Sequence, residues 1–407
     1  MNPLSSLILA AGLLGAPAEA PQSPDPKLLD LVRQLGHKSY KVRETAARDL
    51  LKRGSEAVVA LNVGTKDTDP EVAERCKQLL PVAAATERNE KLSRLLKDPA
   101  GPLPKGLAGL EEFIKIAGDD KTNREIYAEM MGVHYQLIEA LEKDPKTAAR
   151  LMNDFTNEAY DRWQQGARTG RYSYDNILAD RGQVAMFLFA RGDKRFADDA
   201  QQNGRAGMLV NSTKLKNFVT GPEELPGMKK LFLHWMEHEK QPYITTRAFQ
   251  IAADAKMKEA LPVVMKVIAD KNQPVHNRAQ VMLTLAKLGT KENLKDIEPF
   301  LADKTNIGTI NFGNGQPLTA QLQDVAMGVC VQLCGQKLAD FGFETGRFGG
   351  GIPNSYYYYG FPDDKTRDAA HAKWKEFAAK PMTPEKKETP TEKKEETPQK
   401  KAVPQNQ

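Results

Sequence analysis

The most specific chemical pattern in the chain is the string His-Trp-Met-Glu-His at residues 234–238. Two histidines four positions apart share one face of a helix, and a glutamate beside them could activate a metal-bound water, as in zinc-dependent hydrolases. His234, Glu237 and His238 are therefore candidate metal-site residues. The same stretch also fits an ordinary amphipathic helix, and no third acidic ligand is identifiable downstream. We expect no catalysis and no cofactor here, with a zinc-dependent hydrolase as the alternative.

A Gly/Tyr-rich segment between Phe341 and Phe361 is the second candidate site. It contains three consecutive glycines, 349–351, and four consecutive tyrosines, Tyr356, Tyr357, Tyr358 and Tyr359. Tyrosine has few rotatable bonds and carries both apolar and polar surface, which suits a contact surface. We expect these four rings to bind a partner. The alternative is that some of them pack against the rest of the protein and the others are simply exposed.

Three arginines, Arg43, Arg75 and Arg278, each lie near the start of a helical pattern. They could line a groove that attracts acidic partners. We favour a structural role, in which each arginine pairs with an acidic residue of the adjoining turn and holds neighbouring helices in register. Asp69 and Asp270 are the expected partners of the second and third arginine.

Two further patterns are weaker. Cys330 and Cys334 lie four positions apart, a spacing at which helix geometry disfavours a disulfide, so we expect buried thiols. The Arg-Gly-Asp string at 191–193 resembles an adhesion sequence, but its apolar neighbours favour a turn between helices. The Asn-Ser-Thr string at 211–213 matches a glycosylation site, and we assign no role to it.

The elements that must carry these residues are amphipathic helices. Apolar residues recur at helical spacing from Lys27 to Leu80, and again over 125–141, 148–163 and 183–190. A helix is also expected to start near Pro226 and run to Glu239. Helix pairs repeated about every 30–47 residues are typical of α-solenoids.

One interval of eleven residues occurs three times in the chain, and its ends are the expected register positions of the repeat. These intervals run from Arg43 to Gly54, from Arg278 to Gly289 and from Asp324 to Gly335.

Several of these segments resemble a known repeat family. Val42–Gly54 resembles the second helix of a HEAT repeat, and Ala260–Asp270 with the following PVHNRAQVMLTLAKLG resembles a complete HEAT helix pair. The strings DVAMGVCVQLCGQ, DFGF at 340–343, GFPDD at 360–364 and HAKWKEF resemble the exported HEAT-repeat proteins common in planctomycete bacteria. The resemblance covers about residues 27–379. It implies an α-solenoid that binds partners, and no enzymatic activity is carried over from it.

Composition limits the classes of function. The 407 residues are 40% hydrophobic, enough to form a core, and a net charge of +5 is too small to indicate a nucleic-acid partner.

Residues 4–16 form an uncharged apolar run, shorter than the roughly 20 residues of a membrane span. With the small residues that follow, it predicts a signal peptide and a periplasmic or secreted protein. The alternative is an N-terminal helix packed on the domain.

The sequence thus predicts an all-α protein, an α-solenoid of HEAT-like helix pairs with an irregular Gly/Tyr-rich loop and a disordered C-terminal tail. Its predicted segments are a signal peptide at 1–20, a Pro-rich spacer at 21–26, N-terminal HEAT-like repeats at 27–102, a helical middle region at 103–241, C-terminal HEAT-like repeats at 242–379 with insertions at 304–319, expected to be a hairpin, and at 341–361, and a Lys/Glu/Pro tail at 380–407.

The predicted function is a non-catalytic exported scaffold that binds a protein or peptide of unknown identity. A zinc-dependent hydrolase and an anion- or cell-wall-binding module are the alternatives. The sequence indicates no membrane span and gives no oligomeric state.

Overall fold

The computed structural model describes residues 24–168, 174–175, 177–196, 203–239, 241–311, 316–346 and 351–380. The predicted signal peptide, the first part of the spacer and the tail beyond residue 380 lie outside the described residues. The described residues are mostly α-helical, which confirms the all-α prediction. None of the helices among them is long and apolar enough to cross a bilayer.

The chain forms two compact units, one within Met1–Val263 and the other within Val264–Gln407. The three-part division expected from the sequence stays a prediction. The helices of the first unit are α1 (Pro26–Gln34), α2 (Tyr40–Arg53), α3 (Ala57–Gly64), α4 (Pro70–Lys97), α5 (Leu110–Ala117), α6 (Lys121–Lys143), α7 (Pro145–Arg168), α8 (Arg181–Gly192), α9 (Asn203–Leu209), α10 (Thr213–Thr220), α11 (Pro226–His238) and α12 (Pro242–Asp254), and α13 (Leu261–Ala269) crosses the limit between the units.

Local sequence determines where many of these helices begin. Aspartate is the recurrent N-cap, and its carboxylate accepts a backbone N–H of the first turn. The capped helices include α1, α4, α6 and α8, at Asp25, Asp69, Asp120 and Asp180 respectively. Helix α1 therefore takes Asp25 and the following proline from the expected spacer, because proline is well suited to a first helical position.

Helix α8 is the centre of the first unit and packs against α6 and α11. From Val184 to Gly192 every residue of α8 is buried, so this part of the helix has no solvent face. Aromatic rings connect it to its neighbours. Phe187 lies 5.7 Å from Trp235 of α11, and Phe113 of α5 lies 5.7 Å from Phe189, measured between ring centroids. This core fixes the positions of α5, α6, α8 and α11.

The second unit contains α14 (Val275–Leu288), α15 (Leu294–Ile297), β1 (Asn306–Ile310), β2 (Leu318–Gln321), α16 (Leu322–Leu333) and α17 (Asp364–Ala378). Strands β1 and β2 are antiparallel, with Thr309 opposite Thr319. The hairpin expected in the insertion at 304–319 is thus confirmed, although residues 312–315 of its loop are not described. Every described residue from Leu322 to Val331 of α16 is buried, and the helix forms the core of this unit.

Candidate functional site

A cleft of about 1140 Å³ lies in the first unit, lined by residues of α5, α6 and α11 and of the end of α8. Its apolar lining includes Leu107, Ile116, Phe189 and Leu233. Charged side chains of both signs surround these residues, and they are Glu111, Glu112, Lys115, Glu139, Glu142, Lys143, Asp193, Lys194, Arg195, Lys230 and Glu237. The cleft therefore combines an apolar floor with a charged rim.

The string at residues 234–238 lies on α11, and His234, Glu237 and His238 all line this cleft. The two imidazole rings lie 4.4 Å apart between centroids. Nδ1 of His238 is 2.8 Å from the carbonyl oxygen of His234, and the ring of His234 lies beside Gly192 at the end of α8. Burial and the neighbouring His238 lower the pKa of His234, so its ring is neutral at neutral pH.

The hydrolase alternative requires a third protein ligand for the metal. Within the part of the chain that the structure describes, no group of three or more His, Cys, Asp or Glu side chains could hold a metal ion. The other side of α11 has the expected apolar stripe, since Met228, Phe232 and Trp235 are buried.

A fully buried ion pair joins α8 to the segment after α11. Arg191 Nε donates to Glu239 Oε2 at 2.8 Å, and Nη2 donates to Oε1 at 2.9 Å, with 1% of each side chain exposed. Trp235 Nε1 donates to the same carboxylate at 2.9 Å. Arg191 lies in the last turn of α8, so the Arg-Gly-Asp string is not an exposed adhesion loop. The missed signal was a single arginine at the end of a strongly apolar run.

Asp193 and Arg195 follow α8 directly at the edge of the cleft. Arg195 donates to both carboxylate oxygens of Asp193, at 2.9 and 2.6 Å. Burial raises the pKa of Asp193, but the hydrogen bonds from Arg195 outweigh this effect and hold the pKa below its usual value. Arg195 also experiences the negative charges of Glu142 and Glu112. Acidic and basic groups of the rim thus balance one another.

The four tyrosines form a single 3₁₀ turn in the second unit. Tyr359 is 0% exposed, donates its hydroxyl to Gln332 Oε1 at 2.7 Å and packs against the Cα of Gly328. Burial raises its pKa. Tyr359 is therefore a core residue, which corrects the expectation that all four rings face a partner. Tyr356, Tyr357 and Tyr358 are half-buried, and partner binding by these three stays a prediction.

The acidic partners expected for Arg75 and Arg278 are wrong. Arg75 donates to Glu71 at 2.7 Å and to Glu44 at 3.0 Å, whereas the carboxylate of Asp69 caps the start of α4. Arg278 Nε donates to the carbonyl oxygen of Ile268 at 2.9 Å. Asp270 accepts instead from the backbone N–H of Asn272 at 2.9 Å.

The repeated interval has a structural counterpart in α2 and α14. Both helices are 14 residues long and carry arginine, Arg43 or Arg278, at their fourth position, and glycine follows each of them directly. The glycines differ in conformation, because Gly54 has a φ of +52° whereas Gly289 has a φ of −78°. Gly335, with a φ of +69°, follows α16 after one further residue. Asp324 of α16 is fully buried and accepts from Arg367 Nε at 3.0 Å.

Arginine also occupies the fourth position of α6 and of α17. In all four helices, α2, α6, α14 and α17, the side chain of this arginine donates to a backbone carbonyl earlier in the chain. We call them the arginine clamps. The clamps are Arg43 on His37, Arg124 on Asp98 and Gly101, Arg278 on Ile268, and Arg367 on Thr319. A backbone carbonyl is the acceptor that all four share, although Arg43, Arg124 and Arg367 also pair with carboxylates. The role of arginine in holding repeats in register stays a prediction.

The expectation of buried thiols is confirmed. Cys76, Cys330 and Cys334 are buried, and no disulfide joins any two of them.

Neither the protein-family models nor the curated proteins contain a match to this chain.

Proposed function

We propose that the protein is a non-catalytic exported scaffold, built as a HEAT-like α-solenoid, and that it binds an extended peptide segment in the cleft beside α11. The observation that carries this proposal is the size and lining of the cleft. Its volume of about 1140 Å³ exceeds the roughly 300–1,000 Å³ of common small-molecule sites. An extended peptide can fill such a volume with side chains of several kinds.

The distribution of polarity supports a peptide in preference to an anion. Leu233 and Ile116 provide half-buried apolar surface on two different helices. Carboxylates from α5, α6 and α11 line the cleft together with cations, so the cleft has no single sign of charge. A module that binds phosphate or acidic wall polymers would instead concentrate positive charge. Peptides with apolar anchors and both signs of charge match this surface best.

The helical repeat supports the scaffold part of the proposal. The matched helices α2 and α14, with arginine at the same position, are what a repeated helix pair produces in two distant parts of one chain. Repeat proteins of this kind commonly use a surface formed by successive helices to bind extended partners. Export is proposed from the apolar run at residues 4–16.

Selection of peptides from a random display library on the full-length protein tests the site. Leu233→Glu places a charge on the floor of the cleft, whereas Val133→Glu changes a side chain of α6 that is 69% exposed and lies outside it. We expect selected peptides to bind the wild type and Val133→Glu equally. Leu233→Glu should weaken them about tenfold or more, since loss of an apolar anchor costs about 1–3 kcal/mol.

Two results would contradict this proposal. One is the absence of any enriched peptide. The other is binding that survives Leu233→Glu but is lost in the double variant Tyr356→Ser/Tyr358→Ser, which would place the site on the tyrosine turn. Circular dichroism on each variant checks that the helices are retained. Lysine-directed crosslinks from bound peptide to Lys115 or Lys230 of the rim provide an independent location.

A further inference from the structure

The two histidines of α11 have no role in peptide binding as proposed above, although both face the cleft. Their spacing of four residues places the rings on one face of the helix, and the ring centroids are 4.4 Å apart. Two imidazoles bound to one ion, with metal–nitrogen distances of about 2.1 Å, have ring centres about 4.6 Å apart at an N–metal–N angle of 90° and about 5.3 Å apart at the tetrahedral angle. The observed separation is close to the first of these values.

The ring of His238 is oriented by a hydrogen bond to the backbone, and the ring of His234 by its contact with Gly192. His238 uses Nδ1 toward the carbonyl oxygen of His234, which leaves Nε2 as the nitrogen available to a metal. A bond of this kind on one nitrogen commonly fixes the tautomer and direction of a metal-binding histidine. The ring of His234 packs beside Gly192 at the end of α8. The buried Arg191–Glu239 pair in turn holds the end of α8, where Gly192 lies, against the end of α11.

We propose that His234 and His238 form a two-imidazole site for one divalent transition-metal ion on the wall of the cleft. Imidazole nitrogen suits Zn²⁺, Ni²⁺ or Cu²⁺ rather than Mg²⁺ or Ca²⁺, which prefer oxygen ligands. The described residues supply no group of three protein ligands. The other coordination positions are therefore filled by water or by a donor atom of a molecule in the cleft. The site concerns binding only, and it does not depend on the peptide proposal.

Titration calorimetry of the full-length protein with Zn²⁺ alone, and separately with Ni²⁺, tests this site. We expect one ion per chain. His238→Gln should weaken binding about tenfold or more, because a single imidazole cannot chelate, and His234→Gln/His238→Gln should abolish it. His276→Ala is the matched control, since this histidine is exposed on α14 in the second unit. It should leave both affinity and stoichiometry unchanged.

A spectroscopic measurement separates a chelate from loose surface binding. Electron paramagnetic resonance of the Cu²⁺ form should show coupling to two imidazole nitrogens in the wild type and to one in His238→Gln. The proposal is overturned if the wild type binds neither Zn²⁺ nor Ni²⁺, or if the double variant binds them as the wild type does. Circular dichroism of the variants distinguishes lost ligands from lost structure, because neither histidine is fully buried.

Discussion

At the scale of single residues, the structural contribution of a charge depends on its burial. Arg191 and Glu239 in the first unit, and Arg367 and Asp324 in the second, form ion pairs with at most 4% of any side chain exposed. Each carboxylate receives further hydrogen bonds, from Trp235 in one case and from the backbone of Gln321 in the other. Such pairs hold helix ends together because removal of one partner leaves an uncompensated charge inside the protein.

Glu239→Ala should destabilise the first unit by about 3–5 kcal/mol, because the guanidinium of Arg191 loses its counter-charge in a buried position. Urea unfolding followed by circular dichroism measures this change. Asp154→Ala is the control, since the Arg150–Asp154 pair is more than half exposed and its loss should cost at most about 1 kcal/mol. Equal effects of the two substitutions would contradict a structural role for the buried pair.

At the scale of elements, the same residue type has opposite roles in different helices. Gly132 lies in α6 with no atom within 4 Å of the position that a Cβ would occupy. Gly328 lies in α16, where a Cβ would overlap the ring of Tyr359. The first glycine only adds conformational freedom to the unfolded chain. The second creates the space that lets the tyrosine turn pack against its helix.

Alanine at these two positions should change stability in opposite directions. Gly132→Ala should stabilise the protein by about 0.5–1 kcal/mol through its helix propensity. Gly328→Ala should destabilise it by about 1–3 kcal/mol, because a buried aromatic ring must move. Thermal unfolding of both variants beside the wild type measures the two shifts. A gain of stability in Gly328→Ala would show that Tyr359 is not held as described.

The helices themselves were largely predictable, whereas their contacts were not. Apolar spacing located the helices between residues 27 and 80 and those over 125–141, 148–163 and 183–190, and the glycine-rich insertion correctly indicated a hairpin. The burial of Tyr359 could not be read from four identical residues, since it depends on Gly328. The cleft was not predictable either, because Glu112, Glu142 and His234 are distant in sequence and meet only through the packing around α8.

At the scale of the whole molecule, the cysteines distinguish the two units. Cys76 belongs to the first unit, and Cys330 and Cys334 belong to the second. Burial, with a smaller contribution from Asp67, raises the pKa of the Cys76 thiol to about 11. Burial, then the neighbouring Cys334 and Glu298, raises the pKa of the Cys330 thiol to about 12. Because the thiolate is the reactive form, each thiol reports on the opening of its own unit.

At pH 8 the native protein should react with a thiol reagent far more slowly than the chain in denaturant. With a pKa about 3 units above this pH, roughly one thousandth of the Cys76 thiol is ionised. The folded state holds these protons more tightly than the unfolded state. The contribution of the Cys76 thiol to the free energy of unfolding is therefore complete below the unfolded thiol pKa of 9.0. It decreases as the pH rises toward 11.

Mass spectrometry of labelled peptides, taken along a urea series, measures the thiols separately. Labelling of Cys76 at one urea concentration and of Cys330 at another would show that the units open independently. Rapid labelling of both in the native protein at pH 8 would contradict their burial. Cys76→Ala provides the reference for assigning the first-unit signal.

The direction of the arginine clamps has a consequence for the order in which the chain acquires its structure. Every acceptor carbonyl precedes its arginine, by 6 residues for His37 and Arg43 and by as many as 48 for Thr319 and Arg367. A ribosome releases the amino-terminal part of a protein first. Synthesis therefore delivers each carbonyl before the arginine that binds it, and no clamped helix has to wait for a later segment to complete that hydrogen bond.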